Sequence, residues 1–346
     1  MMTIFLGCFI AYCLITAKYK NIFLKDVVHN DNLSKESSDC INGIFVVLVF
    51  LSHFHFEIEN FHKIDFVYDK FQWLCGQLIV CSFLFFSGFG IYESLKKDRE
   101  GYTKKILCVK FPRLLLRFDI CVLLYAIMQI LLGNVISLKS FFLSLLTIDS
   151  LGNSNWYITY ILMSYLITWL AFRFFKNDKV SIFFITIMMS VYSVLFYLIN
   201  PNDSHYYVTS FIYPLGMVYS MYKDKIEEKI KKHWIMYFII FFGLYIISWY
   251  LWAKYSLPMI TYNLISIFMM ISLILFTYKV SFRGKILSIL GKNVFQIYII
   301  QHLPGIALKP IQKYLGGGYV IYFILCILST LVLVIGLNWV FKKIKI

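Results

Sequence analysis

Charge is what this sequence has least of. Asp, Glu, Lys and Arg make up 15% of the chain, against 60% hydrophobic and 19% aromatic residues, and the mean hydropathy is +0.74. A soluble domain of this length carries far more charge, which excludes that class. No stretch alternates as a barrel strand does. None of the eight cysteines (Cys8, Cys13, Cys40, Cys75, Cys81, Cys108, Cys121 and Cys326) forms a CxxC pair. Most lie in apolar stretches and are read as small packing residues, not as disulfides or metal ligands. Walker loops, HExxH motifs, internal repeats and a soluble domain are all missing. The formal charge of +15 invites a nucleic-acid reading. The basic residues do not interleave with aromatics on a soluble face, however, so no nucleic-acid partner is expected.

What the sequence does have is apolar blocks of bilayer-spanning length, about 17 to 24 residues each. They predict an all-α, polytopic membrane bundle of eleven spans: 1–17, 41–56, 73–95, 114–133, 155–172, 181–199, 206–222, 234–253, 257–278, 293–308 and 319–341. Residues 1–17 lack an N-terminal basic region and a small-x-small cleavage site, so they are read as a retained span rather than a signal peptide. With the N-terminus outside, the cytoplasmic segments 18–40, 96–117, 173–180, 223–232, 279–292 and 342–346 hold 27 of the 33 Lys and Arg residues. The other side holds Lys63, Lys70, Lys139, Lys254, Lys309 and Lys313. This split predicts N-out, C-in orientation. Asn200-Pro201-Asn202-Asp203 reads as a turn and Gly316-Gly317-Gly318 as a flexible linker. The loop 134–154 is the longest on the outer side, and its Phe141–Ile148 segment is too short to span, which suggests an interfacial or re-entrant piece.

Within this frame a few polar residues stand out. His53 sits in the apolar run that begins near Cys40, about 20 Å up an inside-to-outside helix. An ionisable group at membrane depth is costly, and so marks a functional site. Glu57 is four residues beyond His53 and Glu59 four beyond His55, so each histidine has a carboxylate on its own helix face. Such a pair is a general-base arrangement for taking a proton from a hydroxyl; the bland alternative is a polar cluster at a water interface. Lys110, Arg113 and Arg117, at spacings of three and four, predict a basic stripe suited to the phosphates of a cytoplasmic ligand or to lipid headgroups. His302, beside Gln301, is either a packing hydrogen bond or a site. Asp119 and Glu93 are further intramembrane acids, with Arg117 a ready partner for Asp119. Ser87-Gly88-Phe89-Gly90 reads as small residues that let helices approach closely.

Several short motifs, in order, resemble those of the acyltransferase family 3 membrane proteins. They are Ile41-Asn42-Gly43-Ile44 with Leu51-Ser52-His53-Phe54; Phe85-Phe86-Ser87-Gly88-Phe89; Lys110-Phe111-Pro112-Arg113; Asn155-Trp156-Tyr157-Ile158; Tyr213-Pro214-Leu215-Gly216; and Leu290-Gly291-Lys292-Asn293 with Ile297-Tyr298-Ile299-Ile300-Gln301-His302. The resemblance covers most of the chain from Cys40 to Pro304. It implies ten core helices in residues 40–346, with residues 1–39 adding an N-terminal span and a cytoplasmic loop.

It further implies an integral protein of the plasma membrane that moves an acyl group, most simply acetyl, from cytoplasmic acetyl-CoA to a hydroxyl of a surface polysaccharide or lipid-linked glycan precursor. His53 would then be catalytic, as general base or transient acyl carrier. Lys110, Arg113 and Arg117 would hold the donor's phosphates. Trp156, Tyr298, His302 and Glu57 would line the substrate path, and no metal would take part. Two positions depart from the family pattern. Asn42 stands where a basic residue is usual, and Lys110 where arginine is. Expected partners are the glycan acceptor, membrane lipids, and a second copy or the glycan-synthesis machinery. The alternative is a multi-span glycan transporter, flippase or polymerase without acyl transfer. Transporter repeats would place broken spans in matching positions, and Pro112, Pro214, Pro258 and Pro304 do not recur that way.

Overall fold

A computed structural model describes residues 1–24, 27–58, 63–255, 257–314 and 318–345, apart from the side chains of residues 311, 313 and 318. Glu59 and Gly316-Gly317, singled out above, lie outside the described residues. In chain order the helices are α1 (Met2–Thr16), α2 (Lys35–Phe54), α3 (Phe66–Cys75), α4 (Cys81–Lys97), α5 (Arg99–Lys105), α6 (Phe111–Leu131), α7 (Leu138–Leu145) and α8 (Trp156–Phe174). They continue with α9 (Asp178–Ile199), α10 (Ile212–Met221), α11 (Lys223–Tyr255), α12 (Pro258–Thr277), α13 (Lys285–Lys292), α14 (Val294–Ile300), α15 (His302–Leu308) and α16 (Gly318–Lys343). Two-residue strands, β1 (Lys18–Tyr19) and β2 (Val280–Ser281), pair antiparallel.

Among the described residues eight helical stretches are long and apolar enough to cross a membrane: Lys35–Glu57, Lys63–Lys97, Arg99–Leu131, Trp156–Phe174, Asp178–Ile199, Lys223–Tyr255, Pro258–Thr277 and Tyr319–Lys343. All eleven expected spans overlap helices, but Met2–Thr16, Val294–Leu308 and the ten-residue α10 are shorter. The Phe141–Ile148 segment of the long loop falls largely on α7, which Ser137 caps by accepting from the Ser140 backbone N–H. Helix α11 kinks at His233 (φ −136°, ψ 36°). That separates a charged first section from the apolar one.

Glycines make two of the most closely packed helix pairs, α2 with α13 and α4 with α10. A Cβ on Gly43 of α2 would lie 2.0 Å from the Leu287 carbonyl oxygen of α13, and one on Gly291 1.7 Å from the Asp39 oxygen of α2. In the second pair a Cβ on Gly88 of α4 would lie 2.0 Å from the Tyr213 oxygen of α10, and one on Gly216 2.2 Å from the Phe85 oxygen. Lipid-embedded helices gain little from hydrophobic exclusion, so close backbone contact through small residues replaces it. These four glycines come from the motifs noted above. The SGF and YPLG segments grip each other, as do the NG and LG segments.

The basic-rich connections are also stitched. Lys279 is 2% exposed, and its ammonium donates to the carbonyls of Asn21, Leu24 and Val27 at 3.0, 2.9 and 2.8 Å. Asn32 donates to Thr277 Oγ1 at 3.1 Å, and Arg283 pairs with Asp31 and Glu36. Partial burial acts to raise the Asp31 carboxyl, but hydrogen bonding and attraction from Arg283 outweigh it and hold the group below its ordinary range. Lys279 therefore fastens the segment before α2, rather than acting as a solvated anchor.

Candidate functional site

Helix α2 starts on the basic-rich face at Lys35, with Ser34 capping the Ser37 backbone N–H. His53 follows 18 residues later, about 27 Å along the axis at 1.5 Å per residue. It is the penultimate residue of the α-helix, before His55–Glu57 tightens into a 3₁₀ turn. His302 approaches from another direction. Pro304 has no N–H for the Ile300 carbonyl and its ring crowds that turn, so α14 stops at Ile300 and α15 begins at His302. Buried polar side chains satisfy the interrupted backbone: Tyr125 donates to the Ile299 carbonyl at 2.8 Å, and Gln301 Nε2 to the Tyr298 carbonyl at 3.0 Å. His302 meets α2 at His53, where the two imidazole centroids stand 4.4 Å apart. Tyr298 lies 6.2 Å from His53, ring to ring, and its hydroxyl meets that of Ser154 at 2.9 Å.

These residues close a cavity of about 990 Å³ that includes His53, Trp156, Tyr298 and His302. Its upper walls come from the segments around residues 72–80, 150–156, 200–208 and 249–262, all on the basic-poor face. Among the described residues the lining holds no Lys or Arg, and one carboxylate, Asp203, which pairs with His205 at 2.8 Å. Amides and hydroxyls supply much of the remaining polar lining, among them Ser150, Ser154, Asn153, Asn155, Gln72 and Gln77. Indoles face it from two sides. Trp156 stands against His205 at 5.8 Å, and Trp73, Trp249 and Trp252 form a cluster with centroids 5.4 to 6.0 Å apart. Behind His53 lies a second, small cavity of about 20 Å³, which Glu57, Gln301 and His302 also border.

The sequence-derived residues divide between two places. His53, His302, Tyr298 and Trp156 meet at the large cavity, and Glu57 joins the two histidines at the small one. Glu57 makes an ion pair with Lys309 at 3.1 Å. His55 turns away and pairs with Asp69 at 3.0 Å. Lys110, Arg113 and Arg117 border neither cavity. They sit at the opposite end of the bundle, where a wide π-turn over Ile106–Lys110 leads into α6. The Lys110 ammonium lies over the rings of Tyr102 and Tyr165 (5.2 and 5.9 Å), the Arg117 guanidinium over Phe341 (5.1 Å), and Arg113 is exposed. The stripe is thus fanned toward α8 on one side and α16 on the other. Asp119 makes no ion pair with Arg117 among the described residues, and its Oδ1 is buried without a hydrogen-bond partner. Glu93 is satisfied by Lys96 at 2.6 Å and Ser220 at 2.7 Å. Asn42 leaves its Oδ1 buried and unpartnered.

A family model described as an acyltransferase domain, acyltransferase family 3, matches residues 35–339. The chain belongs to acyltransferase family 3. No curated protein and no solved structure matches it. The matched span begins where α2 does and ends within α16, so both cavities and both glycine-locked helix pairs of this membrane acyltransferase lie inside it. The acyltransferase's cavity also uses residues that sequence reasoning passed over. Ser154 and Asn153 directly precede the Asn155-Trp156 motif and were within reach of a search along that loop. Trp73, Trp249, Trp252 and His205 come from three separated segments, and only the folded chain brings them together.

Proposed function

We propose that this acyltransferase O-acylates a glycan: acetyl-CoA delivers its acyl group from the cytoplasmic, basic-rich side of the plasma membrane to a hydroxyl of a surface polysaccharide or lipid-linked glycan precursor. The observation that carries the reading is the lining of the large cavity. Indole faces with neutral amides and hydroxyls, and almost no charge, suit a polyhydroxylated neutral ligand that is stacked and hydrogen-bonded rather than ion-paired. The eleven-span, N-out arrangement, with residues 1–39 as an addition to the core, places that cavity on the outer side and Lys110, Arg113 and Arg117 on the inner side.

His53 is the general base of this reaction. Its imidazole takes the proton of the acceptor hydroxyl as that oxygen bonds to the thioester carbonyl carbon. The tetrahedral intermediate then expels CoA sulfur as the C–S bond breaks, and the imidazolium returns its proton to the leaving thiolate. His302 and Tyr298 hold the acceptor oxygen beside His53, and Trp156 stacks on the sugar. Arg113 and Arg117 grip donor phosphates with charge-assisted hydrogen bonds, and Lys110 adds a point charge. The site lies well above those cations, so the acyl arm of the donor extends along α2 toward His53.

Membranes carrying the protein, incubated with acetyl-labelled acetyl-CoA, should transfer label to the glycan fraction, and membranes with His53→Ala should not. Label that stays on CoA while the wild-type protein moves glycan across the bilayer would instead establish a transporter.

A further inference from the structure

The small cavity behind His53 has a polar lining out of proportion to its size. About 20 Å³ is room for one water molecule. Two buried polar atoms on its border have no hydrogen-bond partner among the described residues: His53 Nδ1 and Gln301 Oε1. The Gln301 amide is oriented by its own bond, because Nε2 donates to the Tyr298 carbonyl at 3.0 Å and leaves Oε1 as a free acceptor. Glu57 contributes a second acceptor. Its Oε2 is engaged by Lys309, and its Oε1 lies by Gly305, where a Cβ would sit 3.8 Å away. Gly305 and Cys326 complete the wall beside His302, with phenyl rings of α2 around them.

We propose that this cavity is a single-water site joining His53 Nδ1 to Gln301 Oε1 and Glu57 Oε1, which makes Gln301 and Glu57 positioning residues for His53. The stoichiometry is complete. Nδ1–H donates to the water oxygen, and the water gives one hydrogen to each acceptor. That amounts to three hydrogen bonds, the usual number for a buried water. With the proton fixed on Nδ1, the lone pair resides on Nε2, and the ring cannot rotate without breaking the bridge. Without the water, Gln301 and His53 would each keep a buried polar atom unsatisfied, which native interiors rarely tolerate. The other charged or titratable groups near the site are Lys309, which neutralises Glu57 from outside, His302 at 4.4 Å from His53, Cys326 on the cavity wall, and Tyr322, whose hydroxyl donates to the Gly305 carbonyl at 2.6 Å.

This inference deepens the assignment of His53 as the base, and it is tested in two ways. The first is a water-resolving cryo-EM map of the full chain in lipid, which reads the site without turnover. Density within hydrogen-bond reach of Nδ1, Gln301 and Glu57 is expected, and an empty or hydrocarbon-filled cavity would overturn the proposal. If wild-type protein transferred no acyl group, the proposed function would fall while this map still decided the water. The second is kinetic. Gly305→Ala leaves every polar partner in place and meets its neighbours at ordinary contact distance, so it folds and presents a methyl to the cavity. It should lower kcat roughly tenfold with KM for both substrates unchanged, the scale on which outer partners of a working histidine act. Gln301→Leu should do the same, and the two variants combined should lose little more than either alone. Unchanged kcat in Gly305→Ala, or losses that multiply in the pair, would contradict a shared water.

Discussion

The two faces of the bundle are made of opposite materials. The basic-poor face opens into a broad cavity walled by indoles, amides and hydroxyls, with one carboxylate among the described residues. The basic-rich face presents cations fanned across α6, one exposed and two laid over aromatic rings. A neutral cavity selects by shape, stacking and hydrogen bonds; a cationic rim selects by charge and is tolerant of geometry. A protein that must hold two dissimilar molecules on opposite sides of a bilayer needs both kinds. His53 belongs to the neutral side by position, so in the proposed reaction the chemistry takes place on the acceptor's side and the donor's reactive end has to travel.

Disturbing what joins the two faces should have the largest effect. Gly43→Val would drive its side chain into the Leu287 backbone, which no rotamer relieves, and should leave little folded protein in detergent by size-exclusion chromatography. Recovery of well-folded Gly43→Val would mean that α2 and α13 do not pack as described. Next comes the cationic side. Arg113→Ala should raise KM for acetyl-CoA by about 10-fold, consistent with one charge-assisted hydrogen bond, while KM for the acceptor stays constant. A change in acceptor KM instead would erase the division of labour between the faces. On the neutral side, Trp156→Ala should raise acceptor KM by several-fold, on the order of 1 kcal/mol of stacking, and leave the donor untouched. The smallest effect belongs to His55→Ala. Its ion pair with the half-exposed Asp69 is of the kind worth about 0–1 kcal/mol, so transfer and melting temperature should barely move.

Much of this was legible in the sequence, for physical reasons that differ from residue to residue. Length and hydropathy locate helices reliably, and all eleven expected spans overlap helical segments. His53 was visible because an imidazole in an apolar run is costly. The face its partner would occupy was not visible. Helix periodicity points Glu57 at His53, but α2 tightens to a 3₁₀ turn after Phe54, so Glu57 gives one oxygen to Lys309 and borders the small cavity beside His53 rather than pairing with it directly. The basic stripe suffered similarly from the π-turn ahead of α6, which no spacing rule anticipates. Lys279 counted as an orientation charge, yet three backbone carbonyls bury it. The aromatic wall of Trp73, Trp249 and Trp252 depends on contacts between distant segments, which no single stretch of sequence displays.

The claim on which the rest depends is that His53 removes the acceptor proton. It is tested most directly by single-turnover acetyl transfer from labelled acetyl-CoA to purified glycan acceptor, with wild-type protein and His53→Ala in lipid nanodiscs. The variant should bind acetyl-CoA normally, keep the wild-type melting profile, and transfer label about 10²–10⁴-fold more slowly, the usual worth of a positioned general base. Transfer at the wild-type rate by a folded His53→Ala protein would contradict the account.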